Sequence, residues 1–308
     1  MSNSAVCEHS QQGGVSARAE AALLIDLQRL SINDPKDMLV RKLSFLDGRF
    51  PAIVIDNFYR DPDHVRSVAL GLHYLPPSDG WHPGYSAVLS VSMEPMLRFL
   101  HGCLASFYFP TLESFLRQAR PWLFHRWEPA GARKQRPVSS RPHRDDSMLA
   151  GVLYLNLPDQ CRGGTAFYRH KETGTEALIP ERVVSRQGPR AQVDEQVVEK
   201  MKATGALDAF LRWKQTNEGP AKGYSTYSST ILGAPGADEG FFITDSAGEW
   251  ERTQLLEMKF NRLVVYPAFL MHSAYYRPEW FGTEADSCRL TQNFFFDWPN
   301  TLGEQKDE

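Results

Sequence analysis

The stretch SSRPHRDDSMLAGVLYLN, residues 139–156, sets a histidine and two aspartates directly ahead of a β-patterned run. His143 and Asp145 are two positions apart. In a strand, or in the extended chain leading into one, such positions point to the same side, so both side chains can converge on one ion. A histidine two places before an aspartate is a weak signal by itself. A polar turn ahead of a buried strand is the competing reading, and the rest of the chain has to decide between them.

Outward from this stretch, strand signals accumulate. WLFHRWE, LAGVLYLNL, TAFYRH, LLEMKF, RLVVYP and RLTQNFFFDW are short, aromatic and β-branched. Turn residues such as EPAG, CRGG and ETG separate them. Before residue 121 the pattern differs. FPAIVIDNFY (50–59) reads as a strand, and AALLIDLQRL (21–30) as a short helix. RDPDHVRSVALGL carries helix-start signals: Asp61 can cap, Pro62 suits the first turn, and Asp63 favours the positive end of the dipole. Val65, Val68, Ala69 and Leu72 form its inward stripe. A second helix is expected over 94–109, with Leu97, Leu100, Leu104 and Phe107 on one face and His101 structural at its border.

Residues 1–20 read as a flexible polar lead-in. The remainder, 21–308, reads as a single domain whose β core spans about 121–298. An insertion over about 178–245 interrupts it, helical and charged near 193–219. The fold class is mainly β with flanking helices (α+β), as a β-sandwich or jelly roll with N-terminal helical support.

The chain has 308 residues, 42% hydrophobic and 23% charged, with net charge −3. That length buries a sizeable core without staples. No basic stripe implies nucleic acid, and no apolar run approaches the roughly 18 residues of a membrane span. The N-terminus lacks the basic and apolar regions of a signal peptide, so the default location is cytoplasmic. Cysteines at 7, 103, 161 and 288 show no CxxC pairing, which argues against a zinc ribbon or a disulfide framework.

Five features then stand in order: His143 with Asp145; Tyr154 in YLN; GGTAFY at 163–168; NRLVVYPAFLMHS, which contains His272; and RLTQ, opening with Arg289. Two histidines and a carboxylate with open positions are the facial triad of non-haem iron(II) oxygenases. The order resembles the prolyl-hydroxylase-like branch of the iron(II)/2-oxoglutarate dioxygenases over roughly residues 121–298. The segments NFYRDPDHVRSVAL and GGTAFYRHKETG also look like an uncharacterised bacterial family within that superfamily.

The resemblance implies a double-stranded β-helix (jelly roll). It implies His143, Asp145 and His272 as Fe(II) ligands, and Arg289 as the partner of the distal carboxylate of 2-oxoglutarate. Tyr154 would place its hydroxyl on that carboxylate, Thr291 would add another, and Thr165 would line the pocket. O2 is the oxidant, and succinate and CO2 are the co-products. Hydroxylation of a small molecule, such as an amino acid or related metabolite, is the default outcome. Asp145 disfavours halogenation, because related halogenases carry a small residue there.

The gaps from His143 to His272 and from His272 to Arg289 are both long for this branch. Several points stay open in the residues themselves. Asp146 can ligate in place of Asp145. His125 and Trp127 can face a pocket or the core. Arg141 can meet an anion or lie on the surface, and PPSDGWHPGY (76–85) can cover a pocket mouth or form a plain loop. A jelly-roll hydrolase or isomerase using zinc or manganese, a dioxygenase acting on a protein side chain, and a non-catalytic binding module are the rival readings.

Overall fold

The computed structural model describes residues 29–76, 84–127, 141–180, 229–232, 245–246 and 248–298. The lead-in, nearly all of the expected first helix, most of the 76–85 loop and the helical stretch at 193–219 lie outside them.

The described chain is mainly antiparallel β-sheet with few helices. Ten strands form two sheets: β1 (Leu39–Phe45), β2 (Phe50–Asp56), β3 (Tyr85–Leu89), β4 (Trp122–Trp127), β5 (Leu149–Tyr154), β6 (Gly164–His170), β7 (Trp250–Glu257), β8 (Arg262–Pro267), β9 (His272–Tyr275) and β10 (Arg289–Phe296). The larger sheet runs β1-β2-β8-β5-β10-β4-β3, and the smaller runs β7-β6-β9. His143 makes an isolated bridge to His272, so the chain ahead of β5 lies along the open edge of β9.

Burial along almost their whole length marks β5, β8 and β10 as central strands. β5 and β8 are almost continuously apolar and buried, whereas β10 is buried too but carries Arg289, Thr291, Gln292 and Asn293 toward its start. Helix α1 (Pro62–Gly71) forms as its signals predict. Asp61 accepts from the backbone N–H of His64 at 3.1 Å, and Val65 and Ala69 are buried. Helix α2 (Glu94–Cys103) is shorter than expected. The chain leaves it at Leu104 (φ −147°) for a 3-10 turn over Ala105–Phe107, and Phe107 is 48% exposed rather than in the apolar stripe. A glycine near the end and the aromatic run that follows, poor helix formers all, account for the early stop.

Two strands absent from the sequence reading, β1 and β3, form the edges of the large sheet. β1 pairs along its whole length with β2. Asp56, at the end of β2, accepts from Arg262 Nη2 at 3.0 Å and Lys259 Nζ at 3.3 Å, with Arg41 of β1 at 3.9 Å. Burial alone would raise the Asp56 carboxyl, but the hydrogen bonds and charges of Arg262 and Lys259 outweigh it and hold it below its ordinary value. Asn261 takes φ +59° in the turn before β8, and its side-chain amide pairs with both backbone groups of Tyr59, at 2.8 and 2.9 Å.

The described remnant of the insertion, residues 229–232, buries Ile231 against Ala166, Tyr168, Trp250 and Met271 on the outer face of the small sheet. The long gap between His143 and His272 therefore opens mostly between β6 and β7. Among the described residues, no helix is long and apolar enough to cross a membrane.

Candidate metal and anion site

Backbone pairing brings the three expected ligands together. His143 N–H donates to the His272 carbonyl at 2.9 Å and His272 N–H returns the bond at 2.8 Å, while Asp145 N–H donates to the Ala268 carbonyl at 2.8 Å. One ligand atom from each of His143, Asp145 and His272 falls within 4.8 Å of the other two. His272 Nε2 lies 3.3 Å from Asp145 Oδ2, and His143 Nε2 lies 3.8 Å from Asp145 Oδ1. Ligand atoms about 2.1 Å from a shared ion, on one octahedral face, sit about 3 Å apart, so a small inward movement suffices.

Both imidazoles are oriented from behind. Nδ1 of His143 faces the Arg141 carbonyl at 2.8 Å, and Nδ1 of His272 faces the Leu270 carbonyl at 2.7 Å. A carbonyl can only accept, so each Nδ1 carries the proton and each Nε2 keeps its lone pair for a metal. Arg141 thus acts through its backbone, and its side chain is exposed. Asp146 takes no part, because its carboxylate pairs with Arg144 and is turned to solvent. The choice between Asp145 and Asp146 falls to Asp145.

Arg289, the first residue of β10, lies in the same cavity as the triad. It is 4% exposed, and its guanidinium stacks on Trp127 at 4.6 Å, with the Tyr154 ring 5.9 Å away. No carboxylate among the described residues pairs with it, and its Nε is buried without a hydrogen bond. Burial pulls its pKa below the ordinary value, and the neighbouring phenols of Tyr154, Tyr276 and Tyr266 are all that offset this. A buried cation in this state is poised for an anion.

The site spans both parts of one family match. The family model described as "Family of unknown function (DUF6445)" matches residues 36–216, which hold His143 and Asp145, and residues 213–296, which hold His272 and Arg289. The chain belongs to the DUF6445 family. No curated protein matches it.

The other predicted residues of this DUF6445 chain divide by position. Thr165 lines the cavity, and its hydroxyl is 2.8 Å from that of Tyr154. Tyr154 itself is fully buried and does not line the cavity, and burial raises its pKa. Thr291 sits opposite Tyr154 in the β10–β5 register, with its hydroxyl buried and unpaired. It too is absent from the lining. His125 and Trp127 are buried and face the cavity, so the pocket reading of both is the one the structure supports.

Sequence reasoning missed Tyr266, Asn293 and Phe295, which also line the cavity. Asn293 and Phe295 were readable: they lie four and six places after Arg289, on the same face of one strand. Tyr266 was hidden, because a single phenol inside the apolar run RLVVYP looks like core. Its ring packs on His272 with centroids 5.0 Å apart. Burial, and then the charge of Asp145, push its pKa well above the ordinary value.

Proposed function

We propose that this chain is a non-haem Fe(II)/2-oxoglutarate-dependent dioxygenase that oxidises, and by default hydroxylates, a C–H bond of a small molecule such as an amino acid or related metabolite. The observation that carries the reading is the buried, carboxylate-free Arg289 in one cavity with a two-histidine, one-carboxylate cluster. A metal hydrolase or isomerase would use the cluster but gives no reason for the cation.

The proposed fold is a double-stranded β-helix. From β4 onward the chain visits the large sheet, the β9 edge at His143, the large sheet at β5, the small sheet at β6 and β7, and then alternates through β8, β9 and β10. That winding, and a cavity lined from both sheets, support the assignment.

The residues fit the proposed groups. His143, Asp145 and His272 would hold Fe(II), with Nε2 atoms already in the ligating tautomer. Arg289 would take the distal carboxylate of 2-oxoglutarate in its planar fork, with Trp127 holding the guanidinium flat. Thr165, which lines the cavity, would offer its hydroxyl to that anion, with Tyr154 behind it as its hydrogen-bond partner. Thr291, buried opposite Tyr154 and outside the lining, would back this group rather than touch the ligand. When bound, Fe(II) supplies the redox chemistry by which O2 oxidises the substrate while 2-oxoglutarate is converted to succinate and CO2.

Protein loaded with Fe(II) and offered O2, 2-oxoglutarate and a panel of amino acids and related metabolites is expected to release succinate in step with oxidised product. His272→Ala, folded but lacking the third ligand, should release none. A panel member transformed without oxygen or 2-oxoglutarate would contradict the proposal and favour a hydrolase or isomerase.

A further inference from the structure

The tyrosine hydroxyls in this interior are mostly paired. Tyr59 donates to Gln292 at 3.0 Å, Tyr108 to the Pro51 carbonyl at 2.6 Å, and Tyr154 shares a 2.8 Å bond with Thr165. Tyr266 stands apart by lining the cavity of the triad. It is 3% exposed, yet its hydroxyl has no hydrogen-bond partner among the described residues. A hydroxyl that meets no protein partner and belongs to a cavity-lining residue is left available to a ligand there.

The position explains what could pair with it. Tyr266 is fixed on β8 opposite Ala150, whose small side chain leaves the ring room. The ring is wedged between Phe167 (5.1 Å) and His272 (5.0 Å), both edge-on. It lines the cavity that also holds Asp145 and Arg289 and is close enough to feel both charges. A rigid donor near the triad, in a cavity with a buried cation, suits a ligand that is anionic at two points.

We propose that Tyr266 is a ligand-contacting residue, its hydroxyl donating a hydrogen bond to the carboxylate that a 2-oxo acid presents at the triad end of the cavity. This rests on the dioxygenase reading and adds an anchor that the sequence resemblance did not supply. Arg289 would hold one end of the dicarboxylate, and Tyr266 would fix the other before any substrate enters.

The test is calorimetric titration of the full chain, loaded with redox-inert Mn(II) under anaerobiosis, with 2-oxoglutarate and with 2-oxobutyrate, which lacks the distal carboxylate. Tyr266→Phe is expected to weaken both ligands about tenfold, as for loss of one hydrogen bond to a charged acceptor. Tyr168→Phe, on the outer face of β6, should leave both unchanged. Without ligand, Tyr266→Phe should melt no lower than the wild type, which separates a ligand contact from a packing role. Unchanged binding by Tyr266→Phe, where the wild type binds, overturns this proposal alone. So does a loss confined to 2-oxoglutarate, which would put the hydroxyl at the Arg289 end. Failure of the metal-loaded wild type to bind 2-oxoglutarate overturns it together with the dioxygenase reading.

Discussion

Arg289→Met is expected to stabilise the ligand-free protein while removing its affinity for 2-oxoglutarate. The guanidinium is buried, stacked on Trp127 and unpaired with any carboxylate among the described residues. Holding an ion there costs several kcal/mol, which stacking on one indole offsets only in part. Methionine fills much of the same volume without a charge, so a gain on the order of 1–4 kcal/mol is expected. At about 2–4 °C per kcal/mol for a chain of this size, the melting temperature should rise by several degrees. On the proposed function the same substitution would delete the paired, charge-assisted bonds to the distal carboxylate, worth at least about 100-fold in affinity. Thermal melts with and without 2-oxoglutarate read both effects. The wild type should be stabilised by the ligand through mass action and Arg289→Met should not. A variant that melts lower without ligand, yet shows the wild-type ligand shift, would mean that Arg289 is a structural residue.

The second large effect belongs to the backbone. Gly164 opens β6, the middle strand of the small sheet, at φ +152°, and a Cβ there would lie 2.0 Å from the Leu256 carbonyl oxygen and 2.9 Å from the Met258 nitrogen. Both are backbone atoms in the paired neighbour, so neither can swing aside. Gly164→Ala is therefore expected to cost more than about 4 kcal/mol, the range reserved for strain and clash that packing cannot relieve. Soluble yield should fall steeply, and any recovered protein should melt more than about 8 °C below the wild type. Gly48→Ala is the control. It shares a positive φ (+87°) but meets nothing within 4 Å, so about 1 kcal/mol is expected. If the two variants melt alike, crowding at Gly164 is not what keeps glycine there. The local consequence would be the loss of Thr165 from its place against Tyr154.

These residues also show what the sequence made legible. His143, Asp145, His272 and Arg289 could be named because their types are chemically restrictive and strand periodicity sets which of them share a side. The strand that opens with Arg289 was legible as an aromatic run flanked by turn residues, whereas β9, four residues opening with His272, was not read as a strand, and His143 and Asp145 precede β5. β1 was not, since LVRKLSF at a sheet edge is largely exposed and carries charges where a central strand would carry valine. Helix α2 was read too long because the stripe continues through Phe107 in sequence, while the backbone leaves the helix at Leu104. Asp145 and Asp146 could not be separated by type. Pairing does that: Asp145 N–H is held by Ala268, and Asp146 turns out to Arg144. Tyr266 depended on a fact no sequence carries, namely which way one phenol in a buried strand points.

The account stands on Fe(II) and a 2-oxo acid occupying one cavity together. The most direct measurement is a visible absorption spectrum under strict anaerobiosis, taken of the metal-free protein, after Fe(II), and after 2-oxoglutarate, with His272→Ala and Arg289→Met alongside. The predicted result is a charge-transfer band that needs both additions, is absent in His272→Ala, and appears in Arg289→Met only at far higher 2-oxoglutarate. A folded, Fe(II)-loaded wild type that gives no such band at any 2-oxoglutarate concentration would contradict the central claim.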